Sequence, residues 1–246
     1  MNKLPQITIA FWITKICATT LGETAGDLFS MTLNIGYATS SEILLSFFFA
    51  TLVFQLSSKK YHPIIYWTVI LSTSTAGTTM SDYMDRTLGL GYATGSLILV
   101  SLLILTLIVW LRVEKSLLVT DIKSLRGEIF YWTAILFSNT LGTALGDLLA
   151  DNSGLGFTGG AILIGSLLVM IVLAYYLTKI SRIILFWLAF VLTRPFGATF
   201  GDLLTKPIAK GGLNFGTIGS SIILFTILAI LIVVAMLKLK DIKQSI

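Results

Sequence analysis

The stretch Trp132 to Asp147, WTAILFSNTLGTALGD, decides the fold because its frame occurs four times. The other copies run through Trp12, Gly22 and Asp27, through Trp67, Gly77 and Asp82, and through Trp187, Gly197 and Asp202. In every copy the glycine follows Trp by ten residues and the aspartate by fifteen. The intervening sequence is largely apolar, and a carboxylate deep in a bilayer costs roughly 2.5 kcal/mol or more. Four such costs at an unvarying spacing point to a use for the acids.

The 246 residues are 55% hydrophobic and only 12% charged, with a mean hydropathy of +0.91. A soluble domain carries about 25% charged residues, so the composition predicts an all-α membrane protein. A spanning helix needs about 20 mainly apolar residues. Eight segments meet that need: 8–29, 37–56, 64–84, 92–111, 129–150, 157–177, 183–204 and 216–237. The expectation is a single transmembrane domain over 1–246, made of eight transmembrane helices in four two-helix repeats at 8–56, 64–111, 129–177 and 183–237. Two spans per repeat make successive repeats parallel. Trp-to-Trp distances of 55, 65 and 55 residues place the long connection, 112–128, at the centre and suggest two pseudo-symmetric halves.

The first apolar run carries Trp12, Gly22 and Asp27 in register with the other copies, so it reads as retained structure, not a signal peptide. Cys17 and His62 are the only residues of their kinds. That excludes a disulfide within the chain and a soft-metal cluster. The formal net charge of +5 comes from short linkers and tails, which argues for topology and against nucleic acid. Lys3, Lys59, Lys60, Arg112, Lys115, Lys123, Arg126, Lys179, Arg182, Lys238, Lys240 and Lys243 lie there, twelve of the seventeen basic residues. The hairpins inside repeats hold three, Arg86, Lys206 and Lys210. The positive-inside rule then predicts a multi-pass protein of the cell (inner) membrane with both termini and the 112–128 linker cytoplasmic. Eight of the twelve acids gather on the hairpin side.

Small residues precede each aspartate: Gly22 and Gly26, Gly77 and Ser81, Gly142 and Gly146, Gly197 and Gly201. Such pairs predict close helix packing. Seven residues after each Trp stands a polar residue, Thr19, Ser74, Asn139 or Arg194, on the same helical stripe as the glycine. Asp27, Asp82, Asp147 and Asp202 with such hydroxyls are hard ligands, suited to a hard divalent cation. Close carboxylates in a low dielectric cannot all ionise, which offers proton exchange as coupling chemistry. Capping of helix ends is the plainer use of the acids, but Asn or Ser would cap as well.

Residues that occur once break the symmetry. Glu23 lies one turn before Asp27, and Arg194 inside a span predicts a buried acidic partner, Glu23 or one of the aspartates. Lys15 either snorkels to an interface or pairs inside. The four repeat tryptophans are expected as interface anchors. The fourth copy lengthens the interval from aspartate to the next glycine from nine residues to fourteen, adding Lys206, Pro207, Lys210, Gly211 and Gly212. That addition predicts a distinct loop or lid.

Four tandem copies of two spans, with one such Trp each, resemble a bacterial family of integral membrane proteins recognised as a tandem repeat of unknown function. The resemblance covers nearly the whole chain and implies the eight-span, four-repeat plan without supplying an activity. Function therefore rests on the acids. The expectation is a transporter that binds and moves a hard cation, Mn2+ or Mg2+ favoured, through Asp27, Asp82, Asp147 and Asp202 as metal ligands, with Glu23, Thr19, Ser74, Asn139 and Arg194 beside them. Its partners are the lipid bilayer, a small inorganic cation and protons, with a homo-oligomer left open; no resident cofactor and no catalytic residue is assigned. A cation channel, a non-catalytic scaffold and an intramembrane aspartyl enzyme are the alternatives. The last would need G-x-G-D, whereas the copies read TAGD, TMSD, ALGD and TFGD. No Walker motif supports an ATP-driven pump.

Overall fold

The computed structural model describes residues 3–122 and 124–244, apart from the side chains of 121 and 241–244. Eight long helices carry the chain: α1 Ile9–Asp27, α2 Tyr37–Ser57, α3 Pro63–Asp82, α4 Gly91–Glu114, α5 Leu125–Asp147, α6 Gly156–Leu177, α7 Arg182–Thr205 and α8 Thr217–Gln244. Among the described residues there is no strand. Lys123, one of the basic linker residues, lies outside the described residues, as does the side chain of Lys243.

The odd-numbered helices form an inner ring in which α1 packs on α3, α3 on α5, α5 on α7 and α7 on α1. Each even-numbered helix packs outside, on the inner helix of the following repeat: α2 on α3, α4 on α5, α6 on α7, and α8 back on α1. This placement explains a difference in composition. By length and composition, α2, α4, α6, α7 and residues Thr217–Lys240 of α8 are long and apolar enough to cross a membrane. Helices α1, α3 and α5 fall short because they bury Thr, Ser, Gly and acidic side chains inside the ring. The outer helices leave Phe54, Leu97, Ile162 and Ile222 exposed.

Local signals set the boundaries. Thr8 and Ser124 accept hydrogen bonds from the backbone N–H of Phe11 and Gly127, capping α1 and α5. Pro63 opens α3 where its missing N–H costs nothing. The central connection is shorter than the expected 112–128, because α4 runs to Glu114 and α5 starts at Leu125. Ser124 Oγ closes it by donating to Glu114 Oε1 at 2.7 Å.

After Asp27, Asp82 and Asp147 the chain winds through one π-type turn, 28–32, 83–87 and 148–152. Leu33 N–H donates to the Leu28 carbonyl at 2.8 Å and Leu88 N–H to that of Tyr83 at 2.9 Å. Gly36, Gly91 and Gly156 follow at φ of 84°, 72° and 65°, a region that favours glycine. The nine-residue interval is thus one conserved turn geometry within the chain. The fourth hairpin lacks the π-type turn: α7 continues to Thr205, and the loop folds back so that Leu213 N–H donates to the Leu203 carbonyl at 2.7 Å.

The start of the inner ring is aromatic. The residue before each Trp packs at a tilt or edge-on against the Trp of the next repeat: Phe11 on Trp67, Tyr66 on Trp132, Tyr131 on Trp187 and Phe186 on Trp12, with centroids 5.6, 5.6, 6.5 and 5.7 Å apart. Tyr66 and Tyr131 share a 2.7 Å hydroxyl hydrogen bond. This corrects the interface-anchor expectation: Trp67, Trp132 and Trp187 are buried, and Trp12 is half-buried. Ring closure presents each indole to a neighbouring helix, where offset and edge contacts hold it.

Candidate functional site

Between the aromatic end and the acids, glycine sets how closely the inner helices approach. A Cβ at Gly22 would collide with Ser74, one at Gly77 with Asn139, one at Gly142 with Arg194 and one at Gly197 with Thr19. The polar residue seven after Trp therefore fits against the glycine of the preceding repeat. One turn on, Gly26, Gly146 and Gly201 receive Thr78, Ala198 and Glu23 in the same cyclic order. In this arrangement all seven glycines of those pairs lie against a neighbouring inner helix.

Three of the four polar residues of the first layer serve these helix contacts. Thr19 Oγ1 donates to the Lys15 carbonyl at 3.0 Å and lies 3.3 Å from that of Thr193. Asn139 Nδ2 donates to Thr73 Oγ1 at 2.8 Å. Ser74 offers its carbonyl to Arg194. Arg194 behaves differently. Its guanidinium pairs with Glu23 Oε2 at 2.9 Å and donates to the hydroxyls of Thr78 and Thr143. It thereby joins side chains of all four repeats on the ring axis, fully buried. Both threonines also donate to Glu23 Oε2, each at 3.2 Å.

Lys15 does not snorkel. It is fully buried, with Nζ 3.9 Å from the Phe190 ring centroid and no hydrogen-bond partner among the described residues. A cation–π contact is what holds it.

Asp27, Asp82, Asp147 and Asp202 end their helical frames 2–3% exposed. Two cations that the sequence had marked only as hairpin residues join them in pairs. Arg86 Nε lies 3.0 Å from Asp82 and an Nη 2.9 Å from Asp147. Lys206 Nζ lies 3.0 Å from Asp202 and 2.6 Å from Asp27. Each cation thus reaches one carboxylate four residues back in its own repeat and one in the following repeat. Repeats one and three carry Met31 and Asp151 at that position instead.

The two bridges differ in their surroundings. Arg86 donates to the Tyr37 hydroxyl at 3.2 Å and lies 5.9 and 5.7 Å from the rings of Tyr37 and Tyr92. Lys206 has its two aspartates and the fold-back loop. Burial disfavours both cations, but the paired carboxylates outweigh it and hold each above its ordinary pKa. One oxygen each from Glu23, Asp27 and Asp202 fall within 4.8 Å of one another, all three residues buried, which is ligand spacing for a metal ion.

Chemically, this is an axis with five buried carboxylates, Glu23 and the four aspartates, contacted by three cations, Arg194, Arg86 and Lys206. The missing signal for the bridges was the i, i+4 relation between each aspartate and Arg86 or Lys206, the spacing at which helical side chains meet.

Four segments of the chain, 10–61, 65–116, 130–181 and 185–240, match the family described as Repeat of Unknown Function (DUF347). They span most of its length, and the chain belongs to that family. No curated protein and no solved structure matches it.

Proposed function

We propose that this member of the repeat family is a membrane transporter for a hard cation, Mn2+ or Mg2+ favoured, with protons as the exchanged ion. All eight helices cross the cell membrane in this reading. Helices α1, α3 and α5 do so despite their polar faces, because the ring turns those faces inward and the even-numbered helices meet the lipid. The aromatic end and the basic linkers, with both termini, lie on the cytoplasmic side, and the aspartate end opens outward. The repeats act as two halves, each supplying one cation that bridges to an acid of the other.

The observation that carries the reading is the charge count on the axis. Among the described residues Asp82 and Asp147 share Arg86, and Asp27 and Asp202 share Lys206, so each aspartate pair is bridged by a single positive charge. A shared pair in a low dielectric needs one more positive charge, a proton or a metal ion. Glu23, Asp27 and Asp202 already stand at ligand spacing for such an ion.

Purified protein in sealed liposomes should take up Mn2+, read by quenching of an enclosed dye. Asp27→Asn or Asp202→Asn should cut the rate at least about tenfold, the scale of disturbing one group at a metal site. Uptake unchanged in both folded variants contradicts the reading. One observation favours a second reading, a structural scaffold: every aspartate already contacts a protein cation. In that case the protein moves no ion at all.

A further inference from the structure

We propose that Lys206 is a displaceable internal counter-cation, whose ammonium holds the place between Asp27 and Asp202 that a divalent cation takes, whereas Arg86 is a fixed strut. The inference rests on the transporter reading and names the half of the ring where exchange occurs.

Three observations support the asymmetry. The first is the presence of a third carboxylate on one side only: Glu23 groups with Asp27 and Asp202 within 4.8 Å, and among the described residues no third acid joins Asp82 and Asp147 in such a group. The second is the kind of cation. Lys206 presents a compact ammonium 2.6 and 3.0 Å from two of the three carboxylates, so a cation already sits among them. Arg86 presents a planar fork that engages Asp82 through Nε and Asp147 through one Nη, and its other Nη donates to the Tyr37 hydroxyl. A fork used on three partners is far harder to replace by an ion than a point charge. The third is containment. Arg86 lies near the faces of Tyr37 and Tyr92, while the position corresponding to Tyr37 at the start of α8 is Thr217.

The backbone around Lys206 stays in place during this exchange. Its N–H donates to the Asp202 carbonyl at 2.8 Å and its carbonyl accepts from Asn214 at 3.0 Å. Gly212 packs so tightly on that carbonyl that a side chain there would collide with it. The moving part is the lysine side chain alone, which swings out toward the aspartate end still protonated. Charge balance follows. With Lys206 in place, the Asp27–Asp202 pair needs one proton for neutrality, so an arriving Mn2+ replaces one ammonium and one proton. Glu23 keeps Arg194 as its partner throughout.

The experiment is Mn2+ binding to the purified full chain in detergent, with released protons counted by a weakly buffered pH indicator. Wild type should release about one proton per Mn2+ bound. Lys206→Met should bind Mn2+ about tenfold more tightly or better, since a competing charge has left two of its ligands, and should release about two protons per ion. Arg86→Met should give no such gain. Lys206→Arg, which keeps the charge and adds a fork, should fold and bind Mn2+ more weakly than wild type. If Lys206→Met is unstable without metal, a rise in its melting temperature with Mn2+ concentration exceeding that of wild type reads the same gain. Equal affinity in wild type, Lys206→Met and Lys206→Arg overturns the proposal, as does an equal gain from Arg86→Met. Binding that tightens in Lys206→Met without flux in liposomes would uphold the role of Lys206 and reject transport. Flux in wild type with unchanged Lys206→Met affinity would do the reverse.

Discussion

At the aromatic end each inner helix hands a ring to the next, all four in turn, whereas at the aspartate end two repeats reach out with a cation from the hairpin and two only receive. The same cyclic contact rule runs through both ends of α1, α3, α5 and α7. What changes is how exacting the contact is. Rings in contact tolerate modest shifts at small cost, while a buried charge must meet its partner or become strongly unfavourable. The aromatic end therefore holds the ring together, and the aspartate end holds four buried carboxylates bridged in pairs by Arg86 and Lys206.

The largest expected effect lies between the ends, at Arg194, which like its partner Glu23 touches all four repeats. Arg194→Met should destabilise the protein by about 3–5 kcal/mol, because Glu23 keeps its burial and loses its cation. Glu23→Gln added to that variant should restore much of the loss, read by denaturant unfolding in detergent. If the second change makes matters worse, charge matching does not govern the axis. Trp132→Ala probes the aromatic end in the same assay. It should cost about 3 kcal/mol through an unfilled cavity while leaving Mn2+ affinity per folded molecule unchanged. Lost affinity in the folded fraction would show that the two ends are coupled and not separate.

A smaller effect sharpens the contrast at the edge of the aspartate end. Asp85, in the second hairpin, is buried against Gly95. Burial pushes its carboxyl up to about 6, with the Ser81 hydrogen bond and Arg86 offsetting only part. A raised folded-state value means the native protein holds this proton more tightly than the unfolded chain. Its ionisation therefore erodes stability as pH rises from about 4 to about 6, and the cost is fully present above that. Asp85→Asn should raise the melting temperature by about 2 °C at pH 7.5 and leave it unchanged at pH 4. An equal rise at both values would mean the gain comes from packing.

Much of this arrangement was legible in the chain. The apolar runs and the Trp, Gly and Asp frame located the eight helices to within four residues, except that α8 runs seven residues past the expected end at 237, because glycine turns and apolar runs are local signals. The partner of Arg194 was also within reach, since a guanidinium inside a span demands an acid and Glu23 was a named choice. The ring order was not legible, because sequence periodicity shows which face is small without showing which neighbour fills it. That is why Thr19 and Asn139 looked like ligands and are helix contacts. The tryptophans were misplaced for a related reason: the doublets Phe11-Trp12, Tyr66-Trp67, Tyr131-Trp132 and Phe186-Trp187 carried the stacking signal, but only a closed ring makes consecutive aromatics meet across repeats. Arg86 and Lys206 were counted for topology, although their place four residues after an aspartate already put them in reach of it.

The most direct test neutralises the aspartate end as a unit, changing Asp27, Asp82, Asp147 and Asp202 to Asn together with Arg86→Gln and Lys206→Gln. Removing acids and cations together leaves no unpaired buried charge, so this variant should remain folded. Mn2+ uptake into liposomes is the measurement. The account predicts sealed, folded protein with no uptake above protein-free liposomes; uptake at the wild-type rate would contradict it.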